Sequence, residues 1–296
     1  MGAARHCPID GAPLVDSAGP EPTAGATSLK SRAGRDSIGV HWIGLDPWRG
    51  DVRVHLLALP FDRPPGFLRW LNEEASAISR IGHPAWQAPT EIRETPDGNI
   101  VLLYPDAPDM EWREHVREAW PGQVPADRVL AYGTMLFDAM TAAEAAGYLH
   151  AGLKPSKLYV RADRSVLSLR VLAPSMWKAL ELTDSRAPRF LRPVDLLSGY
   201  ESPEILRGGR PDFAADRWAA AAIIYELLTG FQPAGPAKIA TALERYSTHG
   251  VDRVLSLRPD APALAAAVLD RALCVDPSQR FATMAELSAL WRSHAA

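Results

Sequence analysis

Cysteine is scarce in this chain. Its 296 residues include only two, Cys7 and Cys274, one near each end. Two thiols cannot write a disulfide framework or a four-cysteine zinc site, so a reducing, intracellular setting is the expectation. An excess of charge of one sign is missing too: 32 basic residues stand against 35 acidic ones, for a net charge of −3. That balance gives no electrostatic reason to expect nucleic acid or an anionic membrane as partner. Long apolar runs are also absent. "WAAAAIIYELL", Trp218 to Leu228, is too short to span a bilayer and contains Glu226. The N-terminal "MGAARHCPIDGAPL" has no apolar h-region, and His6 stands where a myristoylation site needs Ser or Thr. A cytoplasmic protein is expected.

What is present is ordinary globular material, 47% hydrophobic and 23% charged, with enough apolar residues for a sizeable core. The length suits one large two-lobed unit or two domains, since single cores seldom grow past about 250 residues. Residues 1–29, rich in Pro, Gly, Ala and small polar residues, read as a flexible tail. Within it "CPIDG" has the look of one zinc-ribbon knuckle, but Asp10 replaces the second cysteine and no second knuckle follows, so no metal is expected.

Alternation of apolar and polar residues from Gly39 to Leu59, around a turn at Pro47 to Gly50, predicts two or three antiparallel strands. Helical spacing of Phe67, Trp70 or Leu71, Glu74, Ile78 and Ile81, closed by Gly82, predicts a helix after them. Asp97-Gly98 marks a second hairpin. Beyond Asp106 long helical periodicities take over at Val124 to Ala146, Asp216 to Thr229, Leu264 to Leu273 and Thr283 to Ser293. One short hairpin interrupts them, "KLYV" with "VLSLRVL".

Seven motifs lie along this layout in a fixed order. "GRDSIG" at Gly34 to Gly39 is a glycine loop with Asp36 for its middle glycine, and "VRVH" at Val52 to His55 ends in His55. "HAGLKPSKLYV" at His150 to Val160 contains Gly152 and Lys157, and "RVLAPS" contains Ala173. "GYESPEIL" supplies Glu204, "DRWAAAAIIYELLTGFQP" supplies Asp216 and "CVDPSQRFATMAEL" supplies Arg280. The series resembles the eukaryotic-like Ser/Thr protein kinase family, especially its bacterial branch, over about residues 30 to 294. The resemblance implies an α+β, two-lobed fold: a small β-rich lobe with one helix over residues 30–106 and a larger, mostly helical lobe over residues 107–296.

Phosphoryl transfer rests on positioning and on neutralising the triphosphate, so the matched positions can be audited by charge. At the phosphate-pairing lysine stands His55, at the base Gly152, at the two metal ligands Lys157 and Ala173. Asp36 in the glycine loop opposes an anion. Lys154 matches the family's lysine beside the transferred phosphoryl group. The scaffold positions, by contrast, are filled: the resemblance makes His150 a core residue, Asp216 a cap on the loop's backbone and Glu204 the ion-pair partner of Arg280. Gly34, Asp36, Gly39, Glu74 and Leu103 are left lining a vestigial cleft, with Glu74 either bonded to His55 or solvated.

The expectation drawn is a pseudokinase: no enzyme, no cofactor, no metal, and a scaffold or regulatory role in binding another protein through the small lobe, around which Trp42, Trp48, Trp70 and Trp86 fall. The alternatives are a divergent phosphotransferase with relocated residues, from Asp163 or Asp195 for example, and a nucleotide or metabolite sensor that uses the cleft without turnover.

Overall fold

The hairpin around Pro47 is fixed by the residue that precedes it. Asp46 accepts hydrogen bonds from the backbone N–H of Trp48 and of Arg49, both at 3.1 Å, an Asx turn that reverses the chain, and Gly50 follows in the left-handed region at φ 76°. This computed structural model describes residues 24–35, 39–57, 65–105, 110–163, 166–171, 199–235 and 239–293. Five antiparallel strands make the first sheet: β1 (Ser28–Arg35), β2 (Gly39–Asp46), β3 (Gly50–Leu57), β4 (Glu91–Glu94) and β5 (Ile100–Tyr104), in the order β1-β2-β3-β5-β4. The expected tail of residues 1–29 runs too far. Ala24 and Thr27 already form a bridge and β1 begins at Ser28, because Thr27 donates to the buried Asp46 carboxylate at 2.8 Å and Arg93 donates to the Ala24 carbonyl at 2.8 Å.

The period of two along β3 divides the sheet's faces. Val52, Val54 and Leu56 pack with Val101 and Leu103 on one face. On the other, Leu57 packs with Leu102 and Tyr104 and with Phe67 and Leu71 of α1 (Phe67–Ser79). Arg53 and His55 share the strand parity of Leu57 and are buried. Helix α1 starts after Gly66 at φ 82° and the chain turns away at Gly82, φ 68°, so glycines punctuate both ends.

Beyond the sheet the chain is helical. α2 (Trp112–Ala119) is capped by Glu111, whose carboxylate accepts from the N–H of Arg113 and Glu114; α3 (Ala126–Ala145) follows. A second sheet, β6 (Met110–Glu111), β7 (Leu158–Asp163) and β8 (Val166–Val171), lies between. Then come α4 (Pro203–Leu206), α5 (Phe213–Thr229), α6 (Ile239–Thr248), α7 (Val254–Leu257), α8 (Ala263–Ala272) and α9 (Met284–Arg292). α5 is apolar all round and buried along nearly its whole length, as a helix at the centre of a core must be. α3, α8 and α9 pack into the same cluster. The architecture is α+β, a β-sheet small lobe carrying α1 and a helical large lobe carrying the short second sheet. No helix among the described residues is long and apolar enough to cross a membrane.

Candidate functional site

The loop His150 to Lys157 is held from below by the central helix. Asp216, in the first turn of α5, accepts hydrogen bonds from the N–H of His150 at 2.6 Å and of Ala151 at 2.9 Å. The bend this imposes puts Ala151 at φ 59° and Gly152 at φ 149°, a conformation a side chain at position 152 would resist. His150 is fully buried, its ring 5.9 Å from that of Trp86. The loop ends in a 3-10 turn, Pro155–Lys157, which carries Lys157 inward until only 1% of the residue is exposed.

Above the loop, the inner face of the small sheet is filled by its own side chains. His55 of β3 stacks on His41 of β2, ring centroids 3.9 Å apart and planes 22° apart. Arg53 lays its guanidinium 3.6 Å over the ring of Tyr159, which belongs to β7 of the large lobe. The His41 ring is 5.8 Å from that of Tyr159. Gly34 sits close by: a Cβ there would lie 3.4 Å from the Tyr159 hydroxyl. Gly39 has less room, since a Cβ would come within 2.3 Å of the Leu56 carbonyl and 2.8 Å of His55 Nε2. Only glycine lets β2 pass this near β3.

Two sequence expectations are corrected here. Leu103 does not face the cleft; it packs with Val52 and Val54 on the opposite face of the sheet, and the inward residues of β5 are Leu102 and Tyr104. Glu74 was expected either to bond His55 or to be solvated. Instead it accepts a hydrogen bond from the hydroxyl of Tyr148 at 2.8 Å, and Tyr148 stands just before the loop, in the large lobe. Burial and the neighbouring carboxylate push the Tyr148 pKa well above that of an ordinary phenol, so the donor stays protonated. Asp36, Ala173 and Asp195 lie outside the described residues, as does the side chain of Asp163.

The residues matched to the large-lobe scaffold are found together. Glu204 of α4 meets Arg280 in a two-pronged ion pair, 2.7 and 2.8 Å. Arg280 is 1% exposed in its side chain, its guanidinium lies 4.6 Å over the Trp218 ring, and it also donates to the carbonyls of Cys274 and Val275. Sequence reading missed Arg53, His41, Tyr104 and Tyr159. The signal for Arg53 was available: in "VRVH" the period of two sets it beside His55, away from Val52 and Val54. At the metal position matched by Lys157 an ammonium does not fit a cation, and among the described residues no three His, Cys, Asp or Glu side chains converge as a metal site.

Comparison with known proteins places this geometry. No family model matches the chain. It is 28% identical over 216 residues to the Ser/Thr-protein kinase pkn3 of Myxococcus xanthus, covering 71% of this chain and 39% of that protein. It is 27% identical over 283 residues to Pkn1 of the same organism, covering 93% and 39%, and 27% identical over 245 residues to PknB of Mycolicibacterium smegmatis, covering 81% and 38%. The chain thus spans about two fifths of the length of the curated relatives it matches. The crystal structure of the Mycobacterium tuberculosis PknI kinase domain superposes with a TM-score of 0.66 at 20% identity, over 92% of this chain and 97% of that one.

The chain is related to bacterial Ser/Thr protein kinases and has the protein kinase fold. The expectation that it is not an enzyme is corrected by the same comparison: the relatives that share its sequence over most of its length are named Ser/Thr protein kinases.

Proposed function

We propose that the chain is a signalling module on a protein kinase fold and that it works by binding another protein through its small lobe. The observation that carries this reading is Trp48, 74% exposed at the tip of the β2–β3 hairpin, with Leu45 of the same hairpin 43% exposed. A large indole held out on a short turn loses little side-chain freedom when a partner covers it, and tryptophan is prominent among residues that anchor interfaces. The turn beneath it is fixed. Arg49 pairs with Glu91 at 2.9 Å and with Asp46 at 3.4 Å, and Asp46 holds the backbone of residues 48 and 49.

The test is a photo-crosslinking side chain at position 48 in the native host, followed by purification of the adduct. One defined protein partner is expected, and Trp48→Ala should weaken the purified complex at least about tenfold. An absence of adduct, or a complex indifferent to Trp48→Ala, goes against the reading.

A second reading, phosphoryl transfer, has the names of the relatives behind it. It is tested by incorporation of labelled phosphate from magnesium-ATP into the chain and into Ser/Thr peptides. Incorporation that falls in Lys154→Ala would favour it, since that lysine matches the one beside the transferred group.

A further inference from the structure

The five-stranded sheet ends on one side in β1, which pairs with β2 and, among the described residues, with no strand beyond it. Its eight residues compare with four in β4 at the opposite edge. A sheet edge is a row of backbone N–H and C=O groups open to pairing with another chain. Two shifts of register add to that row. Lys30 and Ala33 stand opposite no residue of β2, and a bulged residue is left out of the ladder.

Charge narrows what can pair there. β1 carries Lys30, Arg32 and Arg35 and no acidic residue. Lys30 is matched by Asp51 at 2.7 Å, whereas Arg32 and Arg35 are exposed. Both arginines lie on the face of Val52 and Val54: Arg32 is in register with Trp42 and Arg35 with Val40, whose partners in β3 are Val54 and Leu56. Leu29 packs on the same face, at the end of β1 where Ser28 pairs with Leu45 of the exposed hairpin tip. Charged residues and bulges on an edge strand discourage edge-to-edge pairing between copies. Because the charge here is all of one sign, the same residues that repel a second β1 attract a strand of opposite charge, and a carboxylate set across from an arginine stabilises a ladder.

We propose that β1 is a docking edge for an extended acidic segment of another protein, which adds a strand to the sheet with its backbone bonded to the edge and its carboxylates across from Arg32 and Arg35. The inference rests on the partner-binding reading for the origin of the segment. It adds what the partner must present: an acidic strand continuous with the group that covers Leu45 and Trp48.

The experiment adds synthetic peptides to the full chain, with affinity read by calorimetric titration and strand addition by hydrogen exchange of the β1 amides. The probe is a peptide of about eight residues alternating glutamate with threonine, a strand former. Its two counterparts are the same peptide with lysine for glutamate, and the same peptide N-methylated at every residue, which keeps the charge and has no backbone donor. The glutamate peptide should slow exchange within Ser28–Arg35 and bind at least about tenfold more tightly than either counterpart. Arg32→Glu combined with Arg35→Glu should turn the preference toward the lysine peptide. Equal binding of the methylated peptide would reduce the site to charge attraction and overturn strand addition. Unchanged exchange in β1, or a preference that survives the charge reversal, overturns the proposal as well. If the double variant does not fold, the two peptide comparisons on the unaltered chain decide. None of these measurements involves Trp48, so a protein adduct at position 48 with no effect of the glutamate peptide on β1 removes the docking edge and leaves the partner-binding reading standing.

Discussion

Glu74 of α1 and Tyr148 of the large lobe share a hydrogen bond of 2.8 Å across 74 residues of sequence. It ties the helix of the small lobe to the segment that leads into the His150 loop. Because burial and the carboxylate hold the phenol protonated, the tie persists throughout the neutral range. Tyr148→Phe should cost about 1–3 kcal/mol by leaving the carboxylate without this donor. Urea unfolding of Tyr148→Phe, Glu74→Gln and the double variant should show the two losses to be non-additive. Strict additivity would mean that the pair does not interact in solution.

Ala151 is the only non-glycine described residue with a positive φ, 59°. Asp216 holds it there through the N–H groups of residues 150 and 151. An alanine in this region is strained where a glycine is not. Ala151→Gly should therefore be neutral or stabilising by up to about 1 kcal/mol, the relief of strain offsetting the lost methyl contacts. The same change at Ala139, buried in the middle of α3, should cost about 1 kcal/mol or more. Denaturant midpoints for the two variants decide it, and equal losses would remove the strain argument.

How much of this was legible in the sequence differs from element to element. α5 was legible by length: a mostly apolar run of this extent is too long for one strand and marks a helix at the centre of a core. The Asp97-Gly98 hairpin was legible because its turn chemistry is local. β1 was not: "SLKSRAGR" is an edge strand, mostly exposed, and without a buried face there is no alternation to read. α2 and α6 were passed over because their first claim on the core, Trp112 in one and Ala242 in the other, is spread thinly among charges. The site shows the same division. His150, Asp216, Glu204 and Arg280 could be placed by motif order. The partner of Glu74, the face taken by Leu103 and the stacking of Arg53 on Tyr159 depend on how two lobes meet, which no local pattern encodes.

Gly133 lies in α3 where α9 crosses it. A Cβ at this position would sit 2.4 Å from the Trp291 ring. That ring cannot easily withdraw, because its N–H donates to the Leu130 carbonyl at 3.1 Å and its edge packs on Phe137 at 5.2 Å. Helix propensity alone favours Gly133→Ala by about 1 kcal/mol, yet overpacking of a filled core costs about 1–3 kcal/mol. The clash should win, and the variant should melt below the parent. Gly122→Ala, with nothing within 4 Å of the same point, should leave the melting temperature nearly unchanged. A stabilised Gly133→Ala would show that α9 can shift away.

Arg280 and Glu204 should dominate the acid response of the large lobe. Burial works against the Glu204 carboxylate, but the hydrogen bonds and charge of Arg280 outweigh it and hold its pKa below the ordinary value of 4.5. A folded-state pKa below the unfolded one gives stability that is present above about pH 4.5 and lost as the pH falls through the folded value. Arg280→Ala removes the charge partner of a half-buried carboxylate and also its contacts with Trp218 and two carbonyls, so it should cost about 3–5 kcal/mol at pH 7. Arg280→Lys should recover only part of this, because an ammonium cannot make both prongs of the pair. Urea titrations at pH 7 and at a pH well below 4.5 separate the charge from the packing: the gap between parent and Arg280→Ala should narrow on acidification, because the unfolded carboxylate takes up its proton before the paired one does. A gap of the same size at both pH values would assign the whole effect to packing over Trp218 and leave the ion pair without a measurable part in stability.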